Sequence, residues 1–249
     1  MSLILVRQSF AAMSGRHDLV TDFAAGTYTD NGANVFLNYG QKMLDRRSGE
    51  ALPLRWYRKD MLAGEYSLST TLCRSIQQVW AMAAGYDRFE LTKKKQSWLR
   101  NEYPEAYSTL SSGTPAYYCP KDSGLAPAQA TLTSGTYTTQ FTNDFEDLEF
   151  ANSTTYTGIL VMPPVDMTYT ISILARFYSP TLANDSDATF WTERHPDLLT
   201  LAGMWALEGM VYRNFSGQRE IMAQIDEALN DIDKDVAEEQ AANVYFLEG

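Results

Sequence analysis

Cysteine and histidine are the scarcest reactive residues in this chain, two of each in 249 positions. Cys73 and Cys119 lie far apart, with no second Cys or His at ligand spacing. That excludes a structural zinc site and leaves buried free thiols as the expectation. Neither His17 nor His195 stands with a Ser, Cys or carboxylate that would make a nucleophile and its base. His195, just before Pro196, reads as a capping and packing residue where a helix begins. Glycine-rich phosphate loops are missing as well, so neither a Walker site nor a dinucleotide fingerprint is present and no cofactor is implied. No apolar run approaches the ~18–20 residues that cross a bilayer, and the mean hydropathy is -0.30. The opening Met1–Arg7 is too short and lacks the basic segment of a signal peptide, so synthesis in the cytosol is expected.

Positive charge is also short. Twenty Lys and Arg face thirty-one Asp and Glu, for a net charge of -11 and a pI near 4.6. Such a surface does not grip phosphates, and it suits either simple solubility or a surface that repels DNA without gripping it. Lys93, Lys94 and Lys95 form the one basic run singled out, which reads as a solvated helix face. The acidic run Asn143–Glu149 lacks the central Gly and terminal Glu of a calcium loop and reads as solvated too.

What the sequence has is periodicity. Leu3, Val6, Phe10 and Met13 predict a helix that Gly15 ends, and a second helix, capped by Asp30 or Asn31, carries Phe36, Leu37, Gly40, Met43, Leu44 and Arg47. From Leu52 the pattern changes. Leu54–Arg58 and Glu65–Ser69 flank Leu62-Ala63-Gly64 as a β-hairpin would. Cys73–Met82 is assigned to a strand, with a helix as the competing reading, and a short helix is expected near residues 93–103. Short strands are expected at 115–119 and 136–141, and further strands at 157–162 and 168–178, the latter two joined by a turn at Pro163-Pro164-Val165-Asp166. Leu198, Leu199, Ala202, Trp205, Ala206 and Tyr212, then Ile221, Ile225, Leu229 and Ile232, predict two helices broken at Ser216-Gly217.

The expected fold class is therefore α+β, a helical bundle with long C-terminal helices and an inserted antiparallel β domain. The predicted divisions are N-terminal helices at 1–50, a β-rich insertion at 51–190, a helical hairpin at 191–240 and a C-terminal tail at 241–249. That tail ends in the apolar cluster Val244, Tyr245, Phe246 and Leu247, which is costly to leave in water and suits docking on a partner.

Several stretches together resemble tailed-bacteriophage head-to-tail adaptor proteins of the podovirus type. They are Ser14–Val20 with Phe36–Asp45; Leu160–Asp166 with Tyr169 and Phe177–Pro180; and Trp191–Leu199 with Ala206-Leu207-Glu208 and Tyr212-Arg213-Asn214. The resemblance implies a structural virion protein in the neck, a dodecameric ring between the capsid portal and the tail nozzle. Its helices line a channel through which DNA passes without specific binding, its β domain faces nozzle or fibre proteins, and its C-terminal segment docks on the portal. On that basis Phe36, Leu37, Leu44, Leu198, Leu199, Trp205 and Tyr212 are expected at ring contacts, and Val244, Tyr245, Phe246 and Leu247 at the portal. The alternative is a tail or fibre attachment module whose β domain does the recognising. A third reading, an enzyme with a site shared between subunits around Asp144, Glu146 and Asp147, has the least behind it because no site logic accompanies those carboxylates.

Overall fold

Apolar residues three and four apart build the first helices, as their spacing requires. The computed structural model describes residues 3–21, 26–49, 52–103, 110–120 and 158–245, with backbone only at 100 and 236–245. Helix α1 (Leu3–Ser14) buries Leu3, Val6 and Phe10, and Gly15 follows it at φ +68°. A short strand pair, β1 (Val20–Thr21) with β2 (Thr29–Asp30), lies between the two predicted helices. Helix α2 (Ala33–Arg47) starts after Gly32, and the Asp30 carboxylate accepts the Asn34 N–H at 2.8 Å. Asp30 thus satisfies an amide that the first helical turn leaves free.

The chain divides into two units. The helical unit comprises Met1–Pro53 and Tyr178–Gly249, and the sheet unit comprises Leu54–Phe177. In the helical unit, α4 (Phe190–Arg194) opens with a capping box in which Thr189 and Thr192 satisfy each other's backbone. Pro196 starts α5 (Pro196–Leu207), a π-helical stretch follows over Glu208–Tyr212, and α6 runs Phe215–Tyr245. The break falls at Arg213, φ +53°, rather than at Ser216-Gly217. Asn214 then caps α6, its Oδ1 accepting the Gly217 N–H at 3.1 Å.

Helices α2 and α5 cross at a point where neither can carry bulk. A Cβ on Gly40 would stand 2.5 Å from the Ala202 carbonyl carbon, and one on Gly203 2.9 Å from Leu37 Cδ2. Trp191, Leu199, Ala202 and Ile225 complete the core around Phe10, Leu37 and Leu44.

The sheet unit is a sandwich of two four-stranded sheets. One has the order β3 (Arg55–Met61), β10 (Tyr169–Phe177), β5 (Cys73–Ala83), β6 (Phe89–Glu90). The other has the order β4 (Ser67–Ser69), β9 (Gly158–Met162), β8 (Tyr117–Pro120), β7 (Thr92–Lys93). Met61, Val79, Ile171 and Ile173 meet Leu68, Ile159 and Val161 between them. On the far side of the second sheet, Leu160 and Met162 pack with Leu99 and Trp98 of α3 (Gln96–Glu102). Strand β9 is therefore buried on both faces, which accounts for its unbroken apolar run.

The expected hairpin at Leu62-Ala63-Gly64 does not form. The turn exists, with Gly64 at φ +84° and the Glu65 N–H donating to Leu62 O, but β3 pairs with β10 and β4 with β9. Segment β3–β4 and segment β9–β10 form one antiparallel ribbon folded over at a corner. The Gly64 N–H donates to Val165 O and the Val165 N–H to Glu65 O, so the ladder continues round the bend. Sheet-switching at a bend is a known way to turn the edge of a sandwich. Pro163-Pro164-Val165-Asp166 is the other side of that corner, not a hairpin turn between β9 and β10.

The expected fold class is corrected accordingly. Instead of a bundle with long C-terminal helices and one antiparallel insertion, the described residues are mixed α and β, with three sheets. One sheet lies in the helical unit, and the β7–β8 pair is parallel. Helix α5 stops after 12 residues at the π-helical stretch, so the paired long helices needed for a bundle are absent. Residues 178–190, assigned to the insertion on sequence grounds, lie in the helical unit.

Candidate interaction surfaces

The residues expected at ring contacts are mostly interior. Leu37, Leu44 and Leu199 are fully buried, and Phe36 and Leu198 nearly so, all within the helical unit's own core. A side chain already packed against its own fold has no surface left for a neighbouring copy. Trp205 is half-buried against that core, and only Tyr212 is substantially exposed. Of the expected portal contacts, Val244 and Tyr245 lie in the backbone of α6, while Phe246 and Leu247 are outside the described residues. Asp144, Glu146 and Asp147 also lie outside them, as does the strand expected at 136–141.

A polar stripe on α2 holds the segment that returns from the sheet unit. Asp45, fully buried, accepts from Trp191 Nε1 at 2.7 Å, Ser179 N at 2.7 Å and Ser179 Oγ at 3.0 Å. One helical step back, Gln41 donates to Pro180 O and accepts from Thr189 Oγ1. Asn38 both donates to Leu182 O and accepts from its N–H. Further along, Asn34 accepts from Nε of the buried Arg7, which also ion-pairs with Asp185. Asn34, Asn38, Gln41 and Asp45 are spaced three and four apart, so one helix face reads an extended backbone by its amides and carbonyls. The stripe is structural.

No group of three His, Cys, Asp or Glu side chains is placed to hold a metal ion among the described residues. Cys119 is buried and Cys73 partly so, and burial pushes the Cys73 thiol up, away from thiolate chemistry. His195 sits 5.3 Å from the Phe190 ring and 6.1 Å from that of Trp191, and its burial there lowers its pKa from the ordinary 6.5. No helix is long and apolar enough to cross a membrane among the described residues.

Two surfaces stand out. The first is the π-helical corner of the helical unit. Met210, Val211, Tyr212 and Phe215 are 45–64% exposed within six residues. π-Helical insertions collect at functional sites, and clustered large apolar groups in water favour association. Beside them Arg16 is held firmly charged, chiefly by its two hydrogen bonds with Asp18 and then by the Tyr212 hydroxyl.

The second surface is the outer face of the first sheet. Strand alternation turns Met61, Val79, Ala81 and Ile173 inward, and turns Trp56, Arg58, Trp80 and Met82 outward. The register sets Ser172 opposite both Arg58 and Trp80, and Leu174 opposite Trp56. Gly85, at φ +82°, turns the chain back so that Arg88 lies over both indoles, 4.7 Å from Trp56 and 4.3 Å from Trp80. Sequence reasoning missed this platform. Its one signal was a pair of tryptophans on the polar side of alternating strands, and their meeting depends on a tertiary register.

Scanned against protein-family models the chain matches none, and a search of curated proteins returns no relative.

Proposed function

We propose that the chain is a non-enzymatic virion assembly protein, a head-to-tail adaptor subunit that joins a capsid portal to the tail. The observation that carries the reading is the exposed apolar corner Met210–Phe215, a cluster suited to burial against another protein. The ring contacts move from the interior leucines to this corner. The acidic outer stripe of α6, Glu220, Glu227, Asp231 and Asp235, supports a role beside passing DNA, because a negative wall repels phosphates. The sequence resemblance to podovirus-type adaptors supplies the neck location, the portal and the nozzle as partners.

The test is the mass of the purified chain alone and mixed with its portal, full-length and truncated after Ala242. A portal-bound ring that requires the last seven residues supports both the adaptor and its docking tail. A ring that forms regardless leaves the adaptor and removes the tail assignment. No portal binding, or a trimer, turns the reading to a tail or fibre attachment module. The Trp56–Arg88–Trp80 platform favours that second reading, since it offers the sheet unit a recognition face.

A further inference from the structure

We infer that the apolar corner Met210–Phe215 of one copy receives the segment Val244–Leu247 of a second copy, so that copies join head to tail through the two ends of α6. This joint rests on the reading of the corner as a contact between copies, and supplies the surface that the corner meets. The reach of the helix decides which copy provides the segment. Helix α6 begins at the corner with Phe215 and runs 31 residues to Tyr245. At 1.5 Å per residue its ends stand about 45 Å apart. Phe246 and Leu247 follow directly in the sequence, and two residues of chain span at most ~7 Å. A copy cannot lay this segment on its own corner.

The two ends are alike in chemistry. At the corner, Met210, Val211, Tyr212 and Phe215 are exposed, and Met13 in the last turn of α1 is 56% exposed. The hydrogen bond between Arg16 and the Tyr212 hydroxyl brings the end of α1 to the same place. At the far end the sequence sets Val244, Tyr245, Phe246 and Leu247 in one run. Among the α6 side chains described, Ile232 is the last packed on the helical core, and Val244 lies about 18 Å farther along the helix.

Clustered large apolar groups are costly to leave in water. Each copy carries one corner and one segment, so a joint that pairs them covers both. A corner packed on a second corner would leave two segments uncovered. The charges around the corner cancel, Arg16, Arg213 and Arg219 against Asp18, Glu208 and Glu220, so burial rather than ion pairing holds the joint. The acidic stripe in the middle of α6 takes no part in it and stays free to face passing DNA. Unlike surfaces make a heterologous joint, which propagates into a ring or filament instead of closing as a two-fold dimer.

The test is sedimentation velocity of the full chain at rising concentration, with no portal present. A chain truncated after Ala242 keeps the corner and loses the segment. Val211→Asp with Phe215→Asp keeps the segment and spoils the corner at two exposed positions. The full chain is expected to associate, and more tightly as salt screens its net charge of -11. Each altered chain alone is expected to associate at least about tenfold more weakly. Their equimolar mixture is expected to form a dimer and nothing larger, because one intact corner meets one intact segment and neither partner can extend the assembly. That dimer also demonstrates that both altered chains are folded. A full chain that stays monomeric, a truncated chain that associates as the full one does, or a mixture that stays monomeric overturns the joint. Portal binding is measured separately. A chain that is monomeric alone and binds the portal through residues 243–249 assigns the segment to the portal, overturning the joint while the adaptor reading stands. Head-to-tail association without portal binding keeps the joint and removes the adaptor.

Discussion

Asp45 takes donors from Trp191 and Ser179, both far away in sequence. Asp45→Ala leaves the Trp191 indole N–H and the Ser179 amide unpaired inside the helical unit. The expected cost is about 3 kcal/mol, at the upper end for an orphaned buried donor, read as a lower urea midpoint. His195 gives a pH dependence of predictable sign. Its folded form resists protonation, so as pH falls below 6.5 the unfolded chain takes up the proton first and stability declines. His195→Gln should flatten that part of the urea-midpoint profile, and an unchanged slope would assign it to other groups. These roles were only half legible in the sequence. A histidine before a proline suggested packing, but nothing marked Asp45 as the anchor of a segment more than 130 residues away.

At the scale of elements, the crossing of α2 and α5 is the least forgiving contact. Gly40→Ala pushes a methyl group into the Ala202 carbonyl, which is backbone and cannot rotate away. A loss of about 2–3 kcal/mol is expected, with the helical unit's thermal transition shifted down and that of the sheet unit unmoved. The element pattern was readable where one periodicity held: α1, α2 and β5 form where spacing placed them. It failed where two readings share a signal. A Gly-containing turn between alternating segments marks a hairpin and a sandwich corner equally, and only the partner strands, β9 and β10, distinguish them. The buried face of α2 posed the same problem. Phe36, Leu37 and Leu44 announce that a face is covered, but not that α5 covers it in place of another copy.

For the whole molecule, the helical unit is discontinuous and the sheet unit is inserted in it between Pro53 and Tyr178. The strands at the two junctions are neighbours, Arg55 lying opposite Ala175. Replacing 54–177 by a short Gly-Ser link should therefore leave a soluble helical protein with a cooperative melt in far-UV circular dichroism. A link that yields an unfolded chain would make the helical unit dependent on the sheets. The unevenness of charge was present in the sequence, 11 Lys and Arg against 12 Asp and Glu in 54–177 but 9 against 19 in the rest, yet an average of -11 concealed it until the insertion was delimited.

That paired junction has a mechanical consequence. A pull that separates the sheet unit from the helical unit draws β3 and β10 in the same direction, from the same end. The two strands then travel together, and the ladder between them feels no shear. Tension falls on the next ladder, where β10 meets β5 from Tyr169↔Ala83 to Phe177↔Cys73. Those bonds run across the strands, so sliding must break them together rather than one by one. The insertion should therefore yield abruptly, at one force, instead of peeling.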